Sequence, residues 1–228
     1  MSERFLLPSP PRDGRATLQG DEARHLARVL RAKPGDEVTV FDGMGHAWRA
    51  RVAAVARDTV GLEIVAALPA APAARVSLSI AVALPKGDRQ KWLAEKLSEL
   101  GVERLLPLVT ERGVAEATDA ARARLERAVI EACKQCGRDR LMAVDPPRTV
   151  AEAVARAAPG TRLLLADPRA AAPPATTAAS VLVLVGPEGG FTPQEESAAV
   201  AAGAERILLA PHVLRVETAA VAAAARLV

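Results

Sequence analysis

Residues 181–196 read VLVLVGPEGGFTPQEE, an apolar run that opens into a loop carrying Gly186, Gly189 and Gly190 and one acid, Glu188, that reads as buried. A continuous Val/Leu run bounded by Gly and Pro predicts a strand covered on both faces, as in a parallel sheet. Thr192 is placed to be an N-cap, Pro193 fits the first helical position, and Glu195 completes a capping box. A helix is therefore expected from here to Gly203. Strand, glycine loop and helix together often cradle phosphate, but the residue details exclude the usual forms. A P-loop needs Lys and Ser or Thr after its last glycine, where this loop has Phe191 and Thr192, and the three glycines lack GxGxxG spacing. Glu188 adds an anion, and the helix start satisfies its own donors. The expected occupant is neutral or cationic, with the glycines allowing a flat or bulky ligand close to the backbone.

The same grammar extends on both sides of this stretch. VSLSIAVAL (76–84) predicts a strand, and a helix follows from Asp88 as N-cap to Gly101 as C-cap, with Leu93, Leu97 and Leu100 on one side. Then come LLPLV, a helix over 120–136, RLLLAD, RILLA and a closing Ala-rich helix. Strands alternating with helices predict a mainly parallel α/β sheet. Upstream, EVTVF, HAWRARVAAV and TVGLEIV, joined by DGMG and Arg57-Asp58, read as a small β unit over 37–65. LPAAPAAR (68–75), with two prolines and no periodicity, marks a linker. The division expected is one domain over 1–70 and another over 75–228.

Composition narrows the function. Thirty Lys and Arg against 27 Asp and Glu leave a formal charge of +3, so only local clustering can point to nucleic acid. Three Phe, two Trp and no Tyr provide little material for aromatic platforms that bind single strands. No run approaches a membrane span and MSERFLLPSPPRDG lacks a signal peptide's apolar core, so a soluble cytoplasmic protein is expected. Cys133 and Cys136 form a CxxC, but no second ligand pair accompanies it, and the spacing falls inside a helical pattern with Leu125 and Val129. No metal is expected. His25, His46 and His212 are too scattered for a metal site or a serine triad.

Basic residues cluster in three places. In DEARHLARVLRAKPGD, Arg24, Arg28 and Arg31 are spaced to share one face of a helix, with Leu26, Val29 and Leu30 opposite as the packing face. Three outward guanidiniums suit a phosphate backbone, and a solvated face fits the pattern equally well. PKGDRQK adds Lys86, Arg89 and Lys91 beyond the C-terminal end of a strand, where open α/β sheets collect ligands. CKQCGRDR adds Lys134, Arg138 and Arg140. LLAPHVLRVETAAVAAAARL (208–227) gives a second loop at a strand's end, and the loops 186–192 and 210–218 are expected to flank one pocket.

GPEGGFTPQE followed by LAPHVLRVETAAVAA resembles the paired signature of the bacterial 16S rRNA uracil-N3 methyltransferases, the RsmE type of the SPOUT superfamily. GDEARHLARVLRAKPGD and FDGMGHAWRA are similar to that family's PUA-like N-terminal domain, and ALPKGDRQKWLAEKLSELGV, TERGV and EACKQCGR to the start of its catalytic domain. The resemblance implies a small β-barrel domain followed by an α/β domain with a trefoil knot, a homodimer, and S-adenosylmethionine as cofactor. It implies cofactor contacts from Leu165, Val185, Gly186, Pro187, Gly190, Leu209, His212, Val213, Leu214 and Thr218. Ala210 stands where the family usually has Gly, His212 where it has Arg, and Gly113 and Cys136 where Ser is common.

On this reading the reaction is methyl transfer to uracil N3 in the 16S rRNA of the small ribosomal subunit, on a base that is unpaired or flipped out. Glu217 is the candidate base or orienter, and Arg215 the candidate for stabilising charge on the uracil oxygens. Two rivals remain: a related enzyme acting on another RNA such as tRNA, and a noncatalytic rRNA-binding or assembly protein.

Overall fold

In the computed structural model, residues 3–72, 74–116, 118–171 and 177–228 are described. Met1 and Ser2 of the first expected domain and Ala73 of the expected linker lie outside them. The chain forms two compact units, residues 1–72 with 133–141, and residues 73–132 with 142–228.

The first unit is a five-stranded sheet ordered β1-β3-β4-β5-β2, with β1 at Arg4–Leu6, β2 at Arg15–Gln19, β3 at Glu37–Phe41, β4 at Ala47–Val55 and β5 at Thr59–Ala67. β3, β4 and β5 form the antiparallel meander expected from the alternating pattern, while β1 joins β3 in parallel. The DGMG turn works because Gly43 and Gly45 take positive φ (73° and 107°) and Asp42 accepts from the backbone N–H groups of Met44 (2.7 Å) and His46 (3.1 Å). Phe5, Leu18, Leu26, Val40, Val52 and Leu62 fill the core.

The basic segment departs from the expected helix. α1 covers only Gly20–Arg24, and His25–Val29 continues as a π-helical turn in which the Leu30 N–H donates to the His25 carbonyl at 3.1 Å. Arg31 then adopts φ +54° and ends the helix. The wider winding breaks the 100° spacing on which the shared face depended. Leu26 is buried, but Val29 is 69% exposed and Leu30 37%, so the expected packing face is reduced to one leucine.

The second unit is built on a wholly parallel sheet ordered β12-β10-β11-β6-β7-β8, with a further short strand, β9, also on β7. Its strands are β6 (Ser77–Ala83), β7 (Arg104–Val109), β8 (Ala143–Val144), β9 (Arg148–Thr149), β10 (Arg162–Ala166), β11 (Ser180–Val185) and β12 (Glu205–Ile207). The helices are α2 (Arg89–Glu99), α3 (Asp119–Cys136, of which residues 133–136 count with the first unit), α4 (Val150–Ala155), α5 (Pro193–Ala201) and α6 (Val216–Leu227). β11 lies inside the sheet and is apolar after Ser180, and every residue from Val181 to Val185 is buried. α5 starts as expected: the Thr192 side chain accepts from the Glu195 N–H and Glu195 accepts from the Thr192 N–H at 2.8 Å. Asp88 is the residue before α2, although its side chain makes no capping bond. Thr149 and Glu152 form a second capping box, which opens α4, a helix absent from the sequence-based expectation. RILLA is strand only through Ile207.

Candidate functional site

β10, β11 and β12 are adjacent and parallel, so their C-terminal ends lie together, at the edge where open α/β sheets leave a crevice. There the chain encloses a cavity of about 300 Å³. Leu165 comes from the end of β10. Val185, Gly186, Pro187 and Gly190 come from β11 and the glycine loop, and Leu209, His212, Val213 and Leu214 from the loop before α6. The structure thus brings every expected cofactor residue except Thr218 to one cavity, and the loops 186–192 and 210–218 do flank one pocket. Thr218 is exposed on the first turn of α6, outside the lining, while Val216 and Ala219 of that helix face in.

The glycines have separate tasks. A Cβ on Gly186 would sit 3.0 Å from the Phe191 ring, so Gly186 is what lets Phe191 fold back into the core beneath the loop. Gly190 has φ +71° and its N–H donates to the Pro187 carbonyl at 2.8 Å, closing a tight turn, with no protein atom within 4 Å of an added Cβ. The Gly189 carbonyl oxygen serves as an anchor, accepting from Arg112 Nη1 at 2.9 Å.

Charge around the cavity is arranged in pairs. Asp167, just past β10 and 6% exposed, accepts at Oδ1 from the Arg169 N–H (2.8 Å) and Nε (2.9 Å), and at Oδ2 from Arg169 Nη2 (3.0 Å) and from Arg206. The same two arginines reach Glu196, each at 2.9 Å. Hydrogen bonding from Arg169 above all holds the Asp167 carboxyl well below its usual range. Glu188 is exposed rather than buried, because the turn directs it outward to within 3.6 Å of Arg89 Nη1.

Glu217 and Arg215 do not line the cavity. Arg215 is the exposed N-cap of α6. Glu217 is buried, 6% exposed, with Oε1 3.4 Å from Arg89 Nη1 and Oε2 buried without a hydrogen-bond partner. Arg89, expected to face RNA, therefore bridges two carboxylates. Lys91 lies 3.7 Å from Glu95 one turn along α2, and Lys86 is exposed after β6. In the first unit, Arg28 is 3.8 Å from Asp58, Arg24 pairs with Asp21 and Asp58, and Arg31 and Arg140 are exposed, with Arg138 half-buried. Cys133 is buried and Cys136 exposed. Among the described residues no group of His, Cys, Asp and Glu could hold a metal ion.

Sequence reasoning missed Arg112, Asp167 and Arg169 as site residues. Asp167 carried a usable signal, an acid immediately after a strand whose end should face a ligand. Arg112 lies in the TERGV stretch that carries part of the family resemblance, but nothing local points to its partner, which is 77 residues away in sequence.

Residues 72–228 match the RNA methyltransferase domain family, and residues 18–65 the RNA methyltransferase PUA domain. The chain is 33% identical to the ribosomal RNA small subunit methyltransferase E of Synechocystis sp., over 97% of its own length and 75% of that protein's. It is also 33% identical to the Mycobacterium bovis protein of the same name, with coverage of 96% and 88%. Among solved structures, that of a ribosomal RNA small subunit methyltransferase E from Neisseria gonorrhoeae bound to S-adenosyl methionine superposes with a TM-score of 0.90 at 31% identity, covering 99% of this chain and 96% of that one. A putative methyltransferase from Legionella pneumophila in complex with the same cofactor gives 0.88 at 28% identity, covering 100% and 97%.

Proposed function

Because the chain belongs to the RNA methyltransferase family, we propose that it transfers the methyl group of S-adenosylmethionine to N3 of a uracil in the RNA of the small ribosomal subunit. The observation that carries this is the single cavity assembled from two loops that are distant in sequence, with every expected cofactor position but one in its walls. The residues present fit the cofactor. A volume of about 300 Å³ suits a small organic ligand. Leu165, Val185 and Leu209 offer apolar walls, and the open side of Gly190 leaves room for close approach. Bound there, the cofactor supplies an electrophilic methyl on a sulfonium.

The chain's own residues bind, orient and exclude water. Arg89 holds the glycine loop through Glu188 and the first turn of α6 through Glu217, so the two halves of the pocket wall are joined by one guanidinium. This gives Glu217 an orienting role. Arg215, exposed between the cavity-lining Leu214 and Val216, offers its cation to RNA outside the pocket. Residues 1–70, with residues 133–141 of the same compact unit, act as the RNA-docking domain, with Arg24, Arg28, Arg31, Arg138 and Arg140 toward phosphate. The rest of residues 75–228 act as the catalytic domain, with Lys86 and Lys91 at its RNA side and Arg89 held between Glu188 and Glu217. The working form is a knotted homodimer in the cytoplasm.

Primer extension tests the reaction, since a methyl at N3 blocks the pairing edge. Unmodified small subunits incubated with protein and cofactor should acquire a reverse-transcription stop at one uridine. No stop, with cofactor bound, would favour a noncatalytic rRNA-binding protein.

A further inference from the structure

The acids around the cavity are already matched. Asp167 and Glu196 share Arg169 and Arg206, and Glu188 faces Arg89. Arg112 also lines the cavity, yet among the described residues it forms no ion pair. Its one bond is from Nη1 to the Gly189 carbonyl oxygen at 2.9 Å. A neutral carbonyl occupies one N–H of five and leaves the charge uncompensated.

Arg112 is also held in place. The stem of its side chain lies 3.4 Å from where a Cβ on Gly189 would stand. The N–H of the preceding residue, Glu111, donates to Glu195 Oε1 at 3.0 Å, and the other oxygen of that carboxylate takes the Thr192 N–H at 2.8 Å. The segment carrying Arg112 is thereby tied to the glycine loop and to the start of α5. Leu165 and Val185 form the buried floor of the cavity, whereas Arg112 is exposed at its rim. The guanidinium is thus within reach of a ligand arriving from solvent.

We infer that Arg112 binds the target uracil and stabilises the anion that forms on it during transfer. This rests on the uracil-N3 reading above. The N3 proton leaves to solvent, and the electron pair it leaves behind is shared between N3 and the two flanking carbonyl oxygens. That pair then forms the N3–CH3 bond, while the S–CH3 bond breaks with its electrons kept by sulfur, which cancels the sulfonium charge and leaves uracil neutral. The transient charge on the oxygens needs a donor that is fixed before the reaction and remains charged, and a guanidinium fork meets both needs.

The test compares wild type, Arg112→Gln and Arg112→Lys by methyl transfer to unmodified small subunits, with cofactor affinity measured by calorimetry. Arg112→Gln should lower kcat about 100-fold, the usual loss when one preorganised donor to a developing oxyanion is removed. Cofactor affinity should stay at the wild-type level, and Arg112→Lys should recover part of the rate. A cofactor affinity that falls in step with the rate would make Arg112 a loop strut or an anchor for the cofactor's carboxylate, overturning the inference. An unchanged kcat with weaker, less salt-dependent subunit binding would make it a phosphate contact and overturn it as well. A wild type that methylates elsewhere on the RNA defeats the uracil-N3 reading itself, whereas an active wild type matched by Arg112→Gln defeats this inference alone.

Discussion

Glu217 is a buried carboxylate with one oxygen toward Arg89 and the other without a partner. Removing Arg89 would leave that charge uncompensated, whereas neutralising Glu217 at the same time would not. Arg89→Met should cost about 1–3 kcal/mol in chemical denaturation, and Arg89→Met with Glu217→Gln should recover most of it. Additive losses would contradict the pairing. Asp167 makes a separate prediction. Its carboxyl is held below the ordinary value of 3.8, chiefly by Arg169. The folded state therefore gains stability from it above that pH and loses it as pH falls further, toward the lowered folded value. Asp167→Asn should be less stable than wild type at neutral pH and should converge with it in acid. Parallel stability curves down to the acid limit would refute this.

At the scale of elements, Gly186 is the hinge between strand and loop. Gly186→Ala presses a methyl into the Phe191 ring and should destabilise the protein by about 1–3 kcal/mol, as overpacking usually does. A neutral result would mean the ring has room to move. The β11 loop and α5 were readable because Gly, Pro and a capping box act locally and sit within a few residues of what they punctuate. α4 had the same kind of signal in Thr149 and Glu152, legible from the residues alone. The π-helical turn was not, because apolar spacing at i, i+3 and i+4 presumes an α-helix and carries no sign of wider winding. The two-residue strands β8 and β9 are too short for any period to appear. The cofactor positions were legible only through family likeness, whereas Arg112 and Glu217 owe their surroundings to the fold, which brings in partners remote in sequence. Arg24, Arg28 and Arg31 no longer share a single helical face, but all three remain exposed. Replacing them with Ala should make log affinity for rRNA less steep in log salt by roughly 2 to 3 units, at about 0.7 to 0.9 for each phosphate the protein ceases to neutralise. An unchanged slope would leave them as a solvated surface.

For the whole molecule, a unit that matches the RNA methyltransferase PUA domain accompanies one that matches the RNA methyltransferase domain, whose cavity is lined by two loops. A ligand that binds only the folded state stabilises it, by about 2.7 kcal/mol at a hundred times its Kd, so S-adenosylmethionine should raise the melting temperature of wild type. It should not raise that of Ala219→Phe, which fills the cavity from α6. The most direct measurement of the central claim follows the methyl group itself. Unmodified small subunits are incubated with protein and methyl-labelled cofactor, the RNA is digested to nucleosides, and the labelled product is identified by chromatography and mass. Wild type should place the label in uridine methylated at N3, and Ala219→Phe should transfer none. Label on a ribose or on another base position, or no label with cofactor demonstrably bound, would contradict uracil-N3 methylation by this chain.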